Sequence, residues 1–329
     1  MTHHLVVLLI SLAIGSCGML LAADAAPRAM PARIAVLGLT SAPPASTSPP
    51  EQVAFHRGLR ELGWIEGQNL TIEWRWAEGS LERFATLLDE VVRLPVEVIV
   101  VPNQTTGQLA QQATTTIPIV IAGGGALAQS VSSLARPGGN VTGFATLGPE
   151  LAAKRLELLT HVVPGLTRVA VLRGLASQTR ELQAMEVAAR ELGVQLQLLQ
   201  ARNPAEIDQA VAAAVREGAG ALVVFADGGS FYPHRTQLAE LALTHRLPSV
   251  LNGRAFVEAG GLMSYGSSPA ERGQRLAVYV DKLLNGAKPG ELPIEQPSQF
   301  DFVINLKTAR ALGLRIPQTL LFQATEVLR

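Results

Sequence analysis

The chain has 329 residues, with 27 Lys or Arg against 27 Asp or Glu; 48% of its residues are hydrophobic and only 16% are charged. This length is enough for two domains with cores of their own, and the abundance of apolar residues excludes an intrinsically disordered chain. The balanced charge excludes the basic surplus on which nucleic-acid binders depend, and the single Cys excludes an internal disulfide framework.

The first 25 residues are predicted to be a signal peptide. Residues 5–14 form an apolar stretch of signal-peptide length, and Ala23-Asp24-Ala25 has the small-x-small pattern that precedes cleavage. A lipoprotein is the alternative, because residues 14–17 resemble a bacterial lipobox in which Cys17 would carry the lipid. An uncleaved anchor is a third reading. All three predict a periplasmic or cell-envelope location, and the sequence leaves the kind of anchor open.

From Arg33 onward, short β-branched runs alternate with amphipathic stretches, which is typical of βαβ units that build a parallel sheet. Strands in this first half are predicted at 33–39, 70–76, 96–102, 117–123 and 141–146. Helices are predicted between them at 51–62, 80–93 and 105–115, where apolar residues recur at helical spacing.

The three Trp residues cluster in this half, at positions 64, 74 and 76. Trp74 and Trp76 are two residues apart on a predicted strand, so their side chains share one face of it. We interpret them as packing between the sheet and a helix, with a platform for ligand stacking as the alternative.

The second half repeats the order of the first. Residues 168–174 resemble 33–39, and Arg-Glu-Leu-Gly occurs at both 60–63 and 190–193. Further strands are predicted at 221–227, 247–251 and 262–266. The offset between the copies is roughly 120 to 135 residues, as a duplicated lobe with small insertions would produce.

The predicted fold is therefore α/β, with two doubly wound parallel-sheet lobes and a ligand cleft between them. Lobe one is predicted to comprise 33–145 and 269–292, and lobe two 146–268 and 293–329. The chain would then cross between the lobes three times, and the predicted hinge residues are Thr146, Ser267 and Leu292.

Ligands of open parallel sheets bind beyond the carboxyl ends of the strands, near the point where the strand order reverses. The loops predicted there are small, polar and Gly-rich, which lets backbone N–H groups approach a ligand. The predicted ligand-binding residues in these loops are Thr40, Ser41, Asn103, Thr105, Gly123, Gly124, Arg173, Asp227 and Asn252. The alternative is that these residues serve turn geometry alone.

The sequence lacks the usual patterns of catalysis. No His pair at helical spacing follows the predicted signal peptide, so neither a metal site nor a cofactor is expected. The nucleophile elbow of serine hydrolases, the dinucleotide fingerprint and the phosphate-binding loop are all missing. A cleft without an evident catalyst favours a binding protein over an enzyme.

Three stretches resemble the bacterial ABC-transporter substrate-binding protein family, which has a type 1 periplasmic-binding fold. They are FHRGLRELGWIEGQNLTIEWRWAEG at 55–79, SLARPGGNVTGF at 133–144, and most of 245–321. The resemblance extends from about Arg33 to the end of the chain. It implies a receptor that delivers a small solute to a membrane permease, and studied relatives bind amino acids, notably aromatic or hydrophobic ones.

The resemblance also assigns roles to single residues. It places Asp227 where the family has an Asp suited to an α-ammonium group, and Asn103 and Thr105 in the matching lobe-one loop. It adds Tyr265, at the crossing between the lobes, to the ligand-binding residues. One departure is that 123–126 holds Gly-Gly-Gly-Ala where the family usually carries Asp-Pro.

These observations predict a monomeric solute-binding protein whose ligand is an amino acid or a similar zwitterion. Its partner would be the permease of an ABC transporter, and no nucleic acid is expected. A ligand-sensing module of a signalling system with the same fold is the alternative, and an exported enzyme on this scaffold is a third.

Overall fold

The computed structural model describes residues 30–43, 48–123, 133–174, 179–225, 231, 233–251 and 253–329. The predicted signal peptide and Cys17 lie outside these residues. The described chain forms two α/β lobes, each built on a sheet with helices on both faces. No helix in the described ranges is long and apolar enough to cross a membrane.

In the described residues, the lobe-one sheet has five parallel strands in the order β2-β1-β3-β4-β5. These strands are β1 (Ala32–Gly38), β2 (Leu70–Trp76), β3 (Val98–Val101), β4 (Ile119–Ile121) and β5 (Val141–Gly143). The helices of this lobe are α1 (Pro50–Glu61), α2 (Leu81–Val91), α3 (Gln104–Ala113) and, from much later in the chain, α9 (Pro269–Leu284). The strand order reverses between β1 and β3, which makes their carboxyl ends the switch point of the sheet.

In the described residues, the lobe-two sheet has seven strands in the order β12-β11-β10-β9-β8-β6-β7. They are β6 (Arg168–Arg173), β7 (Gln195–Gln200), β8 (Ala221–Val224), β9 (Ser249–Leu251), β10 (Met263–Ser267), β11 (Phe300–Asn305) and β12 (Glu326–Leu328). All neighbours are parallel except β10 and β11. Its helices are α4 (Gly148–Val162), α5 (Thr179–Leu192), α6 (Pro204–Arg216), α7 (Arg235–Thr244), α8 (Arg254–Glu258), α10 (Leu306–Ala311) and α11 (Gln318–Gln323).

The strand order confirms the predicted two-lobe fold. The run β7-β6-β8-β9-β10 repeats the order β2-β1-β3-β4-β5, and β11 and β12 extend the second copy. The central strands β3 and β8 are buried along their whole length, as helices on both faces of a parallel sheet require. The sequence did not predict β7, β11 or β12.

Helix α9 returns from lobe two to cover the lobe-one sheet beside α1. The two helices approach closely at Gly58 and Gly273. A Cβ on Gly273 would collide with the main-chain oxygen of Glu51, and one on Gly58 would lie 2.8 Å from the Cβ of Ala277. Leu276, Ala277 and Val280 of α9 join the core formed by Phe55, Leu59 and the strands above them. Lobe one is therefore complete only when this late segment is in place.

The crossings lie where the chain passes between the two sheets. The first follows β5 and includes Thr146, and the second follows Ser267, the last residue of β10. The third is later than predicted: the N–H of Glu295 donates to Gly143 at 3.1 Å and its oxygen accepts from Ala145 at 2.7 Å. Residues 292–295 thus lie along lobe one, and the chain crosses at 296–299 instead of at Leu292, because these backbone groups complete the edge beside β5.

Gly273→Ala tests the close packing of α9 on α1. Ala favours a helix interior over Gly by about 1 kcal/mol, but here the added methyl group would force the helices apart. We expect the free energy of unfolding in urea to fall by at least about 2 kcal/mol. The control is Gln274→Ala on the exposed side of α9, where we expect no loss; equal stability of the two variants would contradict the packing argument.

Candidate functional site

The loop after β1 is held at the carboxyl edge of the lobe-one sheet by the segment after β2. The N–H of Ala77 donates to the oxygen of Gly38 at 2.9 Å, and the N–H of Glu78 donates to Thr40 at 3.3 Å. Thr40 is half-buried and Ser41 is exposed. The structure therefore places both predicted residues beyond the end of β1, at the switch point.

Asn103 caps the helix that follows β3. Its Oδ1 accepts the N–H of Thr106 at 3.0 Å, and the Thr106 hydroxyl accepts the N–H of Asn103 at 3.1 Å. The side-chain oxygen is thus engaged in a capping box, and the amide nitrogen is the part of Asn103 that could reach a ligand. Thr105, in the first turn of α3, is exposed.

Gly123 follows β4 and lies beside the first crossing. A Cβ on this residue would be 3.2 Å from the Cγ2 of Thr146. Thr40, Asn103 and Gly123 therefore follow β1, β3 and β4, three neighbouring strands whose carboxyl ends share one edge. Gly124 lies outside the described residues.

In lobe two the described part of the predicted site is divided. Arg173 ends β6 and Tyr265 lies in β10, so β8 and β9 separate them by roughly 14 Å. Asp227 and Asn252, predicted between them, lie outside the described residues.

Tyr265 belongs to an aromatic cluster next to the second and third crossings. Its ring lies 6.0 Å from that of Phe300, nearly parallel to it, and 5.9 Å from that of Phe302, nearly perpendicular. Phe300 is the first residue of β11, directly after the third crossing. The cluster therefore joins the ends of the second and third crossings.

Arg155 is a buried cation next to the main chain of Tyr265, and the sequence patterns did not predict its burial. It lies on the core-facing side of α4 and is 6% exposed, and its Nε donates to the main-chain oxygen of Tyr265 at 2.8 Å. Burial lowers the pKa of Arg155 to about 10, although the charges of Tyr265 and Glu181 oppose this shift. The sequence did contain a signal for this burial, because Arg155 stands among leucines that recur at helical spacing in 151–159.

The first turns of α9 attach to the chain crossings through charged groups. The Glu271 carboxylate accepts the N–H groups of Ser298 and Gln299 at 3.1 and 3.0 Å, and the Ser298 hydroxyl as well. Arg275 makes a bidentate ion pair with Glu295, just before the third crossing.

Arg272 connects the end of β10, at the second crossing, to α1. It donates to Glu51 at 2.5 Å and to the hydroxyl of Ser267 at 3.4 Å. Burial lowers the pKa of Arg272, but the charge and hydrogen bond of Glu51 outweigh it, so this pKa stands above its ordinary value. Arg272 therefore stays charged while it ties the end of β10 to lobe one.

One cavity lies away from the carboxyl edge. A cavity of about 280 Å³ is lined by α1 residues such as His56 and Leu59, together with Leu70 and Ile72 from the amino-terminal half of β2. Within the described ranges, no group of three or more His, Cys, Asp or Glu side chains could hold a metal ion.

Comparisons with known proteins agree with this architecture. The sequence model of the family described as "ABC transporter substrate binding protein" matches residues 49–328. A tyrosine-binding protein of Clostridioides difficile (strain R20291) is 21% identical over 265 residues, which are 79% of this chain and 76% of that one.

Two solved structures resemble the chain over nearly its whole length. A conserved domain protein from Vibrio cholerae is 25% identical with a TM-score of 0.81, and the match covers 90% of this chain and 99% of that one. An ABC domain from Streptococcus pneumonia in complex with L-Trp is 25% identical with the same TM-score of 0.81, and the match covers 91% of this chain and all of the other.

Glu271→Ala tests the attachment of α9 to the third crossing. Without the carboxylate, the N–H groups of Ser298 and Gln299 lose their acceptor, and we expect a stability loss of about 1 kcal/mol. Amide hydrogen exchange at these two positions should become faster. In the control Glu291→Ala, the exposed pair with Lys288 is lost, and neither stability nor exchange at 298–299 should change.

Proposed function

Because the chain belongs to the ABC transporter substrate-binding protein family, we propose that its ligand is an amino acid or a similar zwitterion. Proteins of this family bind small solutes and deliver them to an ABC permease, typically outside the cytoplasm, and they are not enzymes. The fold described above supplies what this role needs: two lobes, a carboxyl edge on each, and three connections between them.

The observation that carries the proposal is the convergence of Thr40, Asn103 and Gly123 at the switch point of lobe one. A hydroxyl, an amide and a glycine backbone are neutral hydrogen-bonding groups that suit a carboxylate. Asp227, which follows β8 in the sequence, would accept the ammonium group from the opposite lobe. The tyrosine-binding and L-Trp-bound relatives support this choice of ligand.

Capture by closure of the lobes follows from the connections. We propose that 33–145 with 269–295 and 146–268 with 296–329 move as two bodies, each with its own sheet and core. The dihedral changes would occur at the crossings, near Thr146, Ser267 and 296–299. A monomer suffices for this mechanism, since one chain supplies both sides of the cleft.

We propose from the amino-terminal residues how the protein is exported and held in the cell envelope. Export would use the first 25 residues, and the alternative is a lipid anchor on Cys17. The mass of the exported chain distinguishes them, because a lipoprotein begins with a modified Cys17 and a soluble protein begins near residue 26.

Asp227→Asn tests the zwitterion site, because it keeps the size of the side chain and removes the charge. Titration calorimetry with L-tyrosine and L-tryptophan should show affinity lower by tenfold or more than that of the wild type, since a charge-assisted hydrogen bond contributes about 1.5–3 kcal/mol. The melting temperature of the unliganded variant should equal that of the unliganded wild type. Asp89→Asn on the exposed side of α2 is the control and should bind as the wild type does.

Two results would contradict this assignment. If Asp227→Asn binds as tightly as Asp89→Asn, no ammonium group contacts Asp227. If the wild type binds neither amino acid but does bind a sugar or a nucleobase, the zwitterion proposal is wrong.

Closure is tested separately by small-angle X-ray scattering. We expect the radius of gyration to decrease when the wild-type protein is saturated with a ligand found by calorimetry, because two rigid lobes approach each other. The same value with and without ligand would count against a hinge at the crossings.

A further inference from the structure

Three aromatic rings form a row on the α1 side of the lobe-one sheet. The rings of Trp74 and Trp76 lie 5.8 Å apart with planes inclined by only 6°. The ring of His56, from α1, lies 5.6 Å from that of Trp74 on a tilted plane. Trp74 therefore lies between two rings, and among the described residues Trp76 is the last ring of the row.

The order of Trp74 and Trp76 along β2 determines which face of the Trp76 ring is covered. Trp74 and Trp76 are two residues apart in β2, and parallel indoles at this separation overlap as an offset stack, because coplanar rings would need more room. Trp74 precedes Trp76 along the strand, so it covers the face of Trp76 that is turned toward the amino end. The other face of Trp76 is turned toward the carboxyl end of β2.

The row ends at the switch point of the sheet. Trp76 pairs with Gly38, the last residue of β1, and a Cβ on Gly38 would collide with the six-membered part of the indole. The indole thus lies across the end of β1, directly before the loop that carries Thr40. Trp76 is part-exposed, whereas Trp64, which packs in the core beneath α1 and α9, is 9% exposed.

We propose that Trp76 is a ligand-binding residue, and that a planar aromatic side chain of the ligand stacks on the face of Trp76 turned toward the carboxyl end of β2. The inference rests on the proposed function and adds the specificity of the site to it. Trp74 and His56 hold the indole in one orientation from behind, and Gly38 lets it lie flat over the strand end. A preoriented ring loses little conformational entropy when a ligand binds to it.

Comparison of L-phenylalanine with L-cyclohexylalanine tests the stacking. The two amino acids have nearly the same size and the same charged groups, but only the first has an aromatic ring. Wild-type protein should bind L-phenylalanine about fivefold to tenfold more tightly, as aromatic stacking adds to simple burial. This measurement needs no variant and stays informative if a substitution impairs folding.

Trp76→Leu identifies the residue responsible. Leu keeps an apolar cover on Gly38 and removes the aromatic face, so the preference for L-phenylalanine should fall to about twofold or less. The control is Trp64→Phe, whose position lies in the core at the other end of α1, and the wild-type preference should persist in it.

The outcomes separate the two proposals. If the wild type binds none of L-phenylalanine, L-cyclohexylalanine, L-tyrosine and L-tryptophan, the proposed function is wrong and the stacking role falls with it. If the wild type binds L-phenylalanine and L-cyclohexylalanine equally, or if Trp76→Leu keeps the full preference, the zwitterion site stands and the stacking role of Trp76 is wrong.

Discussion

The close packing of α9 on α1 is the contact on which the rest of this structure depends. The lobe-one sheet is parallel, so both of its faces must be covered, and α9 supplies part of that cover from more than a hundred residues beyond β5. Gly58 and Gly273 set the distance between the helices. Since α9 begins directly after the second crossing and is followed by the third, the same helix fixes where the chain passes between the lobes.

This arrangement links the core of lobe one to the crossings between the lobes. Arg272 holds Glu51 of α1 and the end of β10 together, while Glu271 and Arg275 hold the segment that leads to β11. These ion pairs and hydrogen bonds hold the ends of the crossings in place, so the motion proposed for ligand capture is confined to a few backbone positions between them. The crossings are therefore anchored to a packed helix pair.

The carboxyl edge of lobe one combines two kinds of recognition. Thr40, Asn103 and Gly123 provide neutral polar groups at the switch point, and the Trp76 ring lies across the end of the neighbouring strand. A ligand with charged groups and an aromatic side chain could use both at once. In lobe two, Arg155 and the cluster of Tyr265, Phe300 and Phe302 lie next to the second and third crossings.

The sequence by itself determined the two-lobe fold and the positions of β1 to β6 and β8 to β10, because β-branched runs and helical periodicity are local signals repeated in both halves. It also placed Asn103 at a strand end, and the structure adds that its side-chain oxygen caps α3 through the N–H of Thr106, three residues further along the chain. The edge strand β7 lacks the fully buried pattern of a central strand, so the apolar pattern did not predict it. Strands β11 and β12 have no counterpart among the described strands of the first half, so the repeat did not predict them. The third crossing at 296–299, the burial of Arg155 and the row from His56 to Trp76 depend on contacts between residues far apart in the chain, which no local pattern contains.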